Sequence, residues 1–238
     1  MATTLTTERF PRRRNGWYHL DGRKYVSVTT VLQALAKPAL VPWAARTAAE
    51  AVLEDPAAYD TVEKAAAVIY RKRDTAADRG SLVHSLAEAT ARGAEIDLAS
   101  VPEAARGYAH AFLAWARAMR PTPLYTEANV YSDRYGYAGT TDLIAAFPDK
   151  QVRLVDFKTT SDLYREVALQ LEAYRQADFI VPHVGEPQRI PLPPVAETAA
   201  VLLRPDGTFE YRTMRGELDV FLALLRVWTW MRNGKEAA

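Results

Sequence analysis

Gly139-Thr140-Thr141-Asp142 and, fourteen positions beyond that aspartate, Asp156-Phe157-Lys158 within the run Arg153-Leu154-Val155-Asp156-Phe157-Lys158-Thr159-Thr160 decide how this chain is read. A strand keeps alternate side chains on one face, so Asp156 and Lys158 point one way while Val155 and Phe157 point the other. Charges set among apolar strand residues are costly unless they pair with each other or bind a metal. Two carboxylates and an ammonium group at the end of an apolar strand pair suit metal-dependent phosphodiester hydrolysis, which needs ligands for a divalent cation and a positive charge beside the attacking water. A structural Asp–Lys ion pair explains the short pattern equally well.

Around these motifs the apolar period is that of strands. Leu124 to Tyr131, Tyr137 to Phe147 and Gln151 to Thr159 are joined by short turns at Asp133 to Gly136 and Pro148 to Lys150, which predicts an antiparallel meander. Such pairing brings Asp142, in the second strand, and Asp156, in the third, to one end of the sheet.

Upstream, Trp17 to Leu20 and Lys24 to Val28 flank Asp21-Gly22-Arg23 and read as a hairpin. Thr29 or Thr30 is expected to cap a short helix through Leu35 that ends before Pro38, and a second helix is expected from Pro42 to about Leu53. The alanine-rich stretch Thr61 to Arg92 reads as two helices meeting near Asp78-Arg79-Gly80. Pro102 opens another helix, in which Tyr108, Phe112, Trp115 and Met119 recur at helical spacing and are expected in the core.

Downstream, a helix is expected from about Arg165 to Phe179. Pro182 to Pro194 holds five prolines in thirteen residues and reads as a loop. Thr198 to Arg204 and Thr208 to Thr213 form a hairpin around Pro205-Asp206-Gly207. The chain closes with a helix from Glu217 to about Arg232, with Leu218, Phe221, Leu222, Leu225, Trp228 and Met231 facing inward.

The chain has 238 residues, 49% hydrophobic and 25% charged, with a net charge of +1. It can bury a proper core, and the interleaved helix and strand signals favour one domain over 16–238 behind a flexible basic arm over 1–15. With so little net charge, nucleic-acid affinity has to come from local clusters. Arg12-Arg13-Arg14 and Arg71-Lys72-Arg73 with Arg79 are candidates, although a short basic run is more often a solvated face.

No cysteine is present, which excludes disulfides, thiol nucleophiles, cysteine-type zinc sites and cysteine-ligated iron–sulfur clusters. The N-terminus lacks an apolar secretory segment, and no stretch approaches the ~20 apolar residues of a membrane span. A cytoplasmic location is expected. The Thr- and Arg-rich start also suits a transit peptide, against which its shortness and Glu8 argue.

Oxygen ligands suit magnesium or manganese, ions that keep several waters and take few protein ligands. Asp142, Asp156 and the Phe157 carbonyl make a sufficient set. Lys158 would orient or help deprotonate water and offset charge on phosphate. Gln170 and Tyr174 lie at i and i+4 on one helical face after the third strand. Gln170 is placed to hold the lysine or a phosphate oxygen, and Tyr174 to stack on a base or sugar or to bond a phosphate. His84 follows Gly80-Ser81-Leu82-Val83 and precedes Glu88 by one turn; alone, a histidine on a helix is more often a satisfied core or surface residue.

Taken in order, the Gly-x-x-x-His helix, Gly-x-x-Asp strand, Asp-x-Lys strand and Gln-x-x-x-Tyr helix resemble the PD-(D/E)XK nuclease superfamily, in particular its RecB-type exonuclease branch. The resemblance runs from about Gly80 to Tyr174. Ser27-Val28-Thr29-Thr30-Val31-Leu32 and Trp43 are similar to the N-terminal part of the mitochondrial genome maintenance exonuclease and phage-encoded relatives.

The resemblance implies a restriction-endonuclease-like α/β fold, a mixed central β-sheet with the meander flanked by helices and a catalytic core over about 80–180. It implies metal-dependent DNA cleavage with His84, Asp142, Asp156 and Phe157 binding metal, Lys158 catalytic, and Gln170 and Tyr174 completing the site. Glu127 resembles an acid of some members and reads equally as an exposed strand residue; Glu88 and Thr159 are further candidates.

The CRISPR-adaptation nucleases of this branch use four cysteines for an iron–sulfur cluster, and none is available here. A Gly-Lys-Ser/Thr phosphate loop is also missing, so no helicase motor is expected in the chain. The expectation is a stand-alone exonuclease using magnesium or manganese on linear DNA with free ends, in recombination, repair or end processing, with a phage or host recombination partner. A site-specific endonuclease and a non-catalytic DNA-binding module of the same fold are the alternatives. Oligomeric state and digestion polarity stay open, and the proline-rich loop and the helices before His84 are the candidates for gating the substrate.

Overall fold

In the computed structural model, which describes residues 15–91, 94, 96–182 and 188–236 (side chains of 72–79, 91 and 234–236 excepted), the Asp-Gly turn forms as expected. Asp21 and Gly22 take positive φ of 49° and 75°, the twist that a two-residue turn needs to join antiparallel strands. β1 (Trp17–Leu20) thus pairs with β2 (Arg23–Ser27). The basic run Arg12-Arg13-Arg14, the arm up to residue 14, and residues 183–187 of the proline-rich stretch lie outside the described residues, as do the side chains of Lys72, Arg73 and Arg79.

The next helix starts earlier than the threonines suggested. Ser27 is the N-cap of α1 (Val28–Val31), but its hydroxyl pairs with that of Thr29 at 2.9 Å and caps no backbone N–H. A 3-10 turn over Leu32–Ala34 ends the segment ahead of Pro38. α2 (Leu40–Glu54) follows, then α3 (Val62–Ala91).

α3 corrects the expected pair of helices, because it continues for 30 residues through Gly80. A helical glycine costs only about 1 kcal/mol against alanine. Val83, Leu86 and Ala87 just beyond it are buried in the same cluster as α4 (Glu103–Met119), which offsets that cost. Tyr108, Phe112 and Trp115 of α4 are core residues as expected.

The meander forms as β3 (Thr122–Ser132), β4 (Tyr137–Ala146) and β5 (Val152–Lys158), antiparallel throughout. α5 (Glu166–Arg175) ends four residues short of the expected Phe179. That residue instead opens β6 (Phe179–Val181), whose unbroken apolar run is buried against β3. β7 (Ile190–Pro191) pairs with β6, so the proline-rich stretch is not loop throughout. β8 (Glu197–Leu203) and β9 (Phe209–Thr213) form the expected hairpin.

α6 (Leu218–Glu236) closes the chain, with Phe221 buried and Leu218, Leu222, Leu225 and Trp228 packed on the core. Met231 departs from the expectation: it lies past the last core contact of the helix, at Trp228, and is 53% exposed.

The sheet order is β7-β6-β3-β4-β5-β8-β9, with β2 also on β4. The β5–β8 and β2–β4 pairs are parallel and the rest antiparallel, giving an α/β architecture with a mixed, mostly antiparallel sheet between helices. On one face Leu143, Ala145, Val155 and Phe157 pack with α3 and α4. The Phe157 ring meets Phe112 and Trp115 edge-on at 5.3 and 4.9 Å, and burying such a ring contributes roughly 1.5–3 kcal/mol. On the other face Ile144, Leu154, Ala200 and Leu202 pack with α1, α5 and α6. Among the described residues no helix is long and apolar enough to cross a membrane.

β4 changes partner along one edge. β3 follows its other edge from Tyr137 to Ala146, so β2 and β5 must share the remaining one: β2 at Tyr137 and Ala138, β5 from Leu143 to Ala146. Between them Gly139 to Asp142 have no strand partner on that edge among the described residues. The motif singled out in the sequence therefore lies in a gap in the sheet.

Candidate metal centre

Leu143 sets the register at this gap, paired with Thr126 on β3 and Val155 on β5. One step along, the same registers align Glu127, Asp142 and Asp156 in a row across three adjacent strands. Adjacent like charges on a sheet repel, so a row of three acids needs cations beside it. His84 from α3 and Lys158 from β5 supply them.

Glu127 reaches the row through a strained backbone. Its φ of 49° costs a residue with a side chain about 1–2 kcal/mol. His84 Nδ1 lies 2.7 Å from Glu127 Oε1 and 3.4 Å from Asp142 Oδ1. His84, Glu127 and Asp142 each offer one ligand atom within 4.8 Å of the others. α3 packs on the face opposite to α5, yet the opened ladder lets helices of both faces reach the row.

Asp142 Oδ2 accepts the Phe157 N–H at 2.7 Å, where β4 and β5 have ceased to pair. A strand residue turns its N–H and C=O to the same edge, so the Phe157 carbonyl is directed to the same gap. Asp156 is held separately: its Oδ1 accepts from Gln170 Nε2 at 3.0 Å, and its Oδ2 is ion-paired with Lys158 Nζ at 2.5 Å. Asp142 and Asp156 are only 6% and 2% exposed.

The charges perturb one another strongly. Burial lowers the His84 pKa, but the hydrogen bond to Glu127 and the charges of Asp142, Glu127 and Asp156 outweigh it and carry the pKa up to about 9. Burial and the neighbouring Asp156 push the Asp142 carboxyl up, against the pull of His84, Lys158 and the Phe157 N–H. Burial also lowers Lys158, yet Asp156 and Asp142 hold its pKa above the ordinary lysine value. Lys158 is thus a fixed cation here.

Tyr174 is brought to the site in an unexpected role. At 3% exposed it offers no face on which a base or sugar could stack, which corrects that expectation. Its ring covers Gly139 so closely that a Cβ there would stand 2.1 Å from Tyr174 Cε1. Gln170 bonds its buried phenol, which burial keeps neutral. Tyr174 therefore fills the gap in β4 and steadies Gln170. Glu88, one turn beyond His84, and Thr159, just past β5, are half-buried and stand outside the His84–Glu127–Asp142 group.

A hydrogen-bonded chain that sequence reasoning did not identify backs the motif. Tyr18 Oη meets Thr140 Oγ1 at 2.9 Å, and Thr140 donates to Asn129 Oδ1 at 2.8 Å. It links β1, β4 and β3 beside the gap; only the pairing of distant strands brings these residues together, and no local pattern announces it.

The donors are carboxylate oxygens, one imidazole and a carbonyl directed at the same gap, a set suited to hard divalent cations. A scan against protein-family models matches none of them, and a search of curated proteins finds no significant match.

Proposed function

We propose that this chain is a divalent-cation-dependent DNA nuclease of restriction-endonuclease-like fold, with Asp142 and Asp156-Phe157-Lys158 as its PD-(D/E)XK set. The observation that carries the proposal is the row Glu127–Asp142–Asp156 across three strands, flanked by His84 and Lys158. The residues fit a bound cation: carboxylates this buried and mutually repelling gain most from one. In the metal-free protein a protonated His84 fills that electrostatic place.

His84, Glu127, Asp142 and the Phe157 carbonyl would hold magnesium or manganese, with Asp156 beside them. Such an ion supplies Lewis-acid activation of water and charge neutralisation at phosphate. Lys158, held protonated on the Asp156 face, orients the attacking water and offsets charge developing on the phosphate oxygens. Gln170 fixes the Asp156 carboxylate, and Tyr174 fixes Gln170. The ordered motifs direct the substrate to DNA, and their likeness to the RecB-type exonuclease branch favours exonucleolytic trimming of linear ends in recombination, repair or end processing.

The test is end-labelled linear DNA, single- and double-stranded, against a closed circle, with manganese and with chelator. The proposal expects linear DNA degraded, the circle spared and chelator inhibitory. Cleaved circles would make the enzyme an endonuclease. Binding without any cleavage, or degradation indifferent to chelator, would remove the proposed chemistry.

A further inference from the structure

The N-terminal end of α5, the helix that also carries Gln170, borders a cavity. This cavity of about 570 Å³ opens between the segment after α1, the start of α5 and the junction from β9 to α6. Leu35, Leu163, Met214 and Val220 give it apolar walls, and Lys37, Arg165, Arg212 and Arg215 ring it, against the acids Glu166 and Glu217. Lys37 pairs with Glu166 at 3.0 Å, and Arg212 with Glu210 and, at 3.8 Å, with Asp162. The guanidinium groups of Arg165 and Arg215 have no ion-pair or hydrogen-bond partner among the described residues. Both residues are exposed and line the same cavity, so an anion entering it meets two guanidinium groups without competing partners.

The volume lies in the range of small-ligand sites. Apolar walls under a guanidinium rim suit a molecule with one flat, weakly polar part and one phosphate, because planar guanidinium groups bond phosphate oxygens in pairs. The position restricts the choice further. Glu166 on the rim and Gln170 on Asp156 are one turn apart on α5, about 6 Å along the helix. Leu163 follows Lys158 by five residues, at most about 18 Å of chain. A nucleic-acid strand at Lys158, rising ~3.4 Å per nucleotide in duplex form, reaches the cavity within about five nucleotides.

We propose that this cavity binds the phosphate of a nucleotide, either a free mononucleotide or one unit of a strand lying across the acid row, with Arg165 and Arg215 as its direct contacts. The identity of the ligand as a nucleotide rests on the nuclease reading; the anion site does not.

The test measures anisotropy of a labelled single-stranded oligonucleotide in chelator, where nothing is cleaved, over a range of salt. Arg165→Gln/Arg215→Gln is compared with the intact protein and with Arg117→Gln/Arg120→Gln at the end of α4, on the opposite face of the sheet. Each lost phosphate contact removes about 0.7 from the salt slope for single strands. Both arginines hold one phosphate, so the cavity pair is expected to lower the slope by about 0.7 and affinity about tenfold or more, while the control pair changes neither. Glu217→Gln is expected to tighten binding.

Displacement of the oligonucleotide by deoxyadenosine monophosphate assigns the cavity to free mononucleotides. Loss of binding in the cavity pair without such displacement assigns it to the strand. Unchanged affinity and slope in the cavity pair, or an intact protein that binds neither probe, overturns the proposal. Added manganese separates the two readings: binding lost in the cavity pair while the intact protein cleaves nothing leaves the cavity standing and removes the nuclease. Cleavage by the intact protein with unchanged binding in the cavity pair does the reverse.

Discussion

Asp142→Asn is expected to stabilise the metal-free protein while removing its response to manganese. The wild-type carboxyl is raised from 3.8 to about 7 by burial and by Asp156. A group raised in the folded state contributes stability that is fully present below its unfolded pKa, near 4, and is lost as pH rises through about 7. At 1.36 kcal/mol per pH unit the ionised carboxylate costs up to about 4 kcal/mol at pH 8.

Asparagine removes that charge and keeps an oxygen to accept the Phe157 N–H, but its amide nitrogen then faces the His84 Nδ1 that lay 3.4 Å from Asp142 Oδ1, which offsets part of the gain. A net gain of about 1–2 kcal/mol at pH 8, with none at pH 4, is expected. For a chain of this size that raises Tm by about 2–8 °C. The assay is thermal unfolding in chelator at both pH values, repeated with manganese. Binding at a hundred times Kd should add about 2.7 kcal/mol to the wild type and nothing to the variant. A variant no more stable than wild type at pH 8, or one that manganese stabilises equally, would refute the electrostatic account of the row.

Lys158→Ala should lower hydrolysis about 10²–10⁴-fold with DNA binding retained. Because it leaves buried Asp156 without its cation, it should also destabilise the protein by about 3–5 kcal/mol, measured by denaturant unfolding alongside activity. Gly139→Ala drives a methyl group into the Tyr174 ring, and an overpacking loss of about 1–3 kcal/mol is expected; an unchanged melting temperature would mean that Tyr174 does not seal the gap. Glu127→Gly removes an acid and relieves the positive φ, so the chelated protein should melt at least as high as wild type while losing the manganese-induced shift.

The local signals carried much of the fold into the sequence. Asp21-Gly22 specified a hairpin, and the three alternating runs from Leu124 to Thr159 specified the meander. Gly80 misled, because a glycine weakens a helix without ending it when residues beyond it are anchored. Phe179 looked like the end of α5, since the three apolar residues Phe179 to Val181 do not by themselves distinguish a strand from a helix end. At the site, Asp142, Asp156 and Lys158 stood out as charges in apolar strands. Glu127 was harder to weigh, because its backbone strain and its place opposite Asp142 exist only in three dimensions. The buried role of Tyr174 was equally hidden, since it depends on the absence of a side chain at Gly139, and no helical pattern records that.

The change of partner along β4 also bears on the order in which the chain assembles. The three acids of the row sit on consecutive strands joined by short turns, so local pairing alone can gather them early. The other border of the gap is β2, paired with β4 from the far N-terminal end of the described chain. Closing that border waits on a distant encounter whose loop-closure entropy is met late. Folding thus collects the mutually repelling acids before the gap that houses them is walled in.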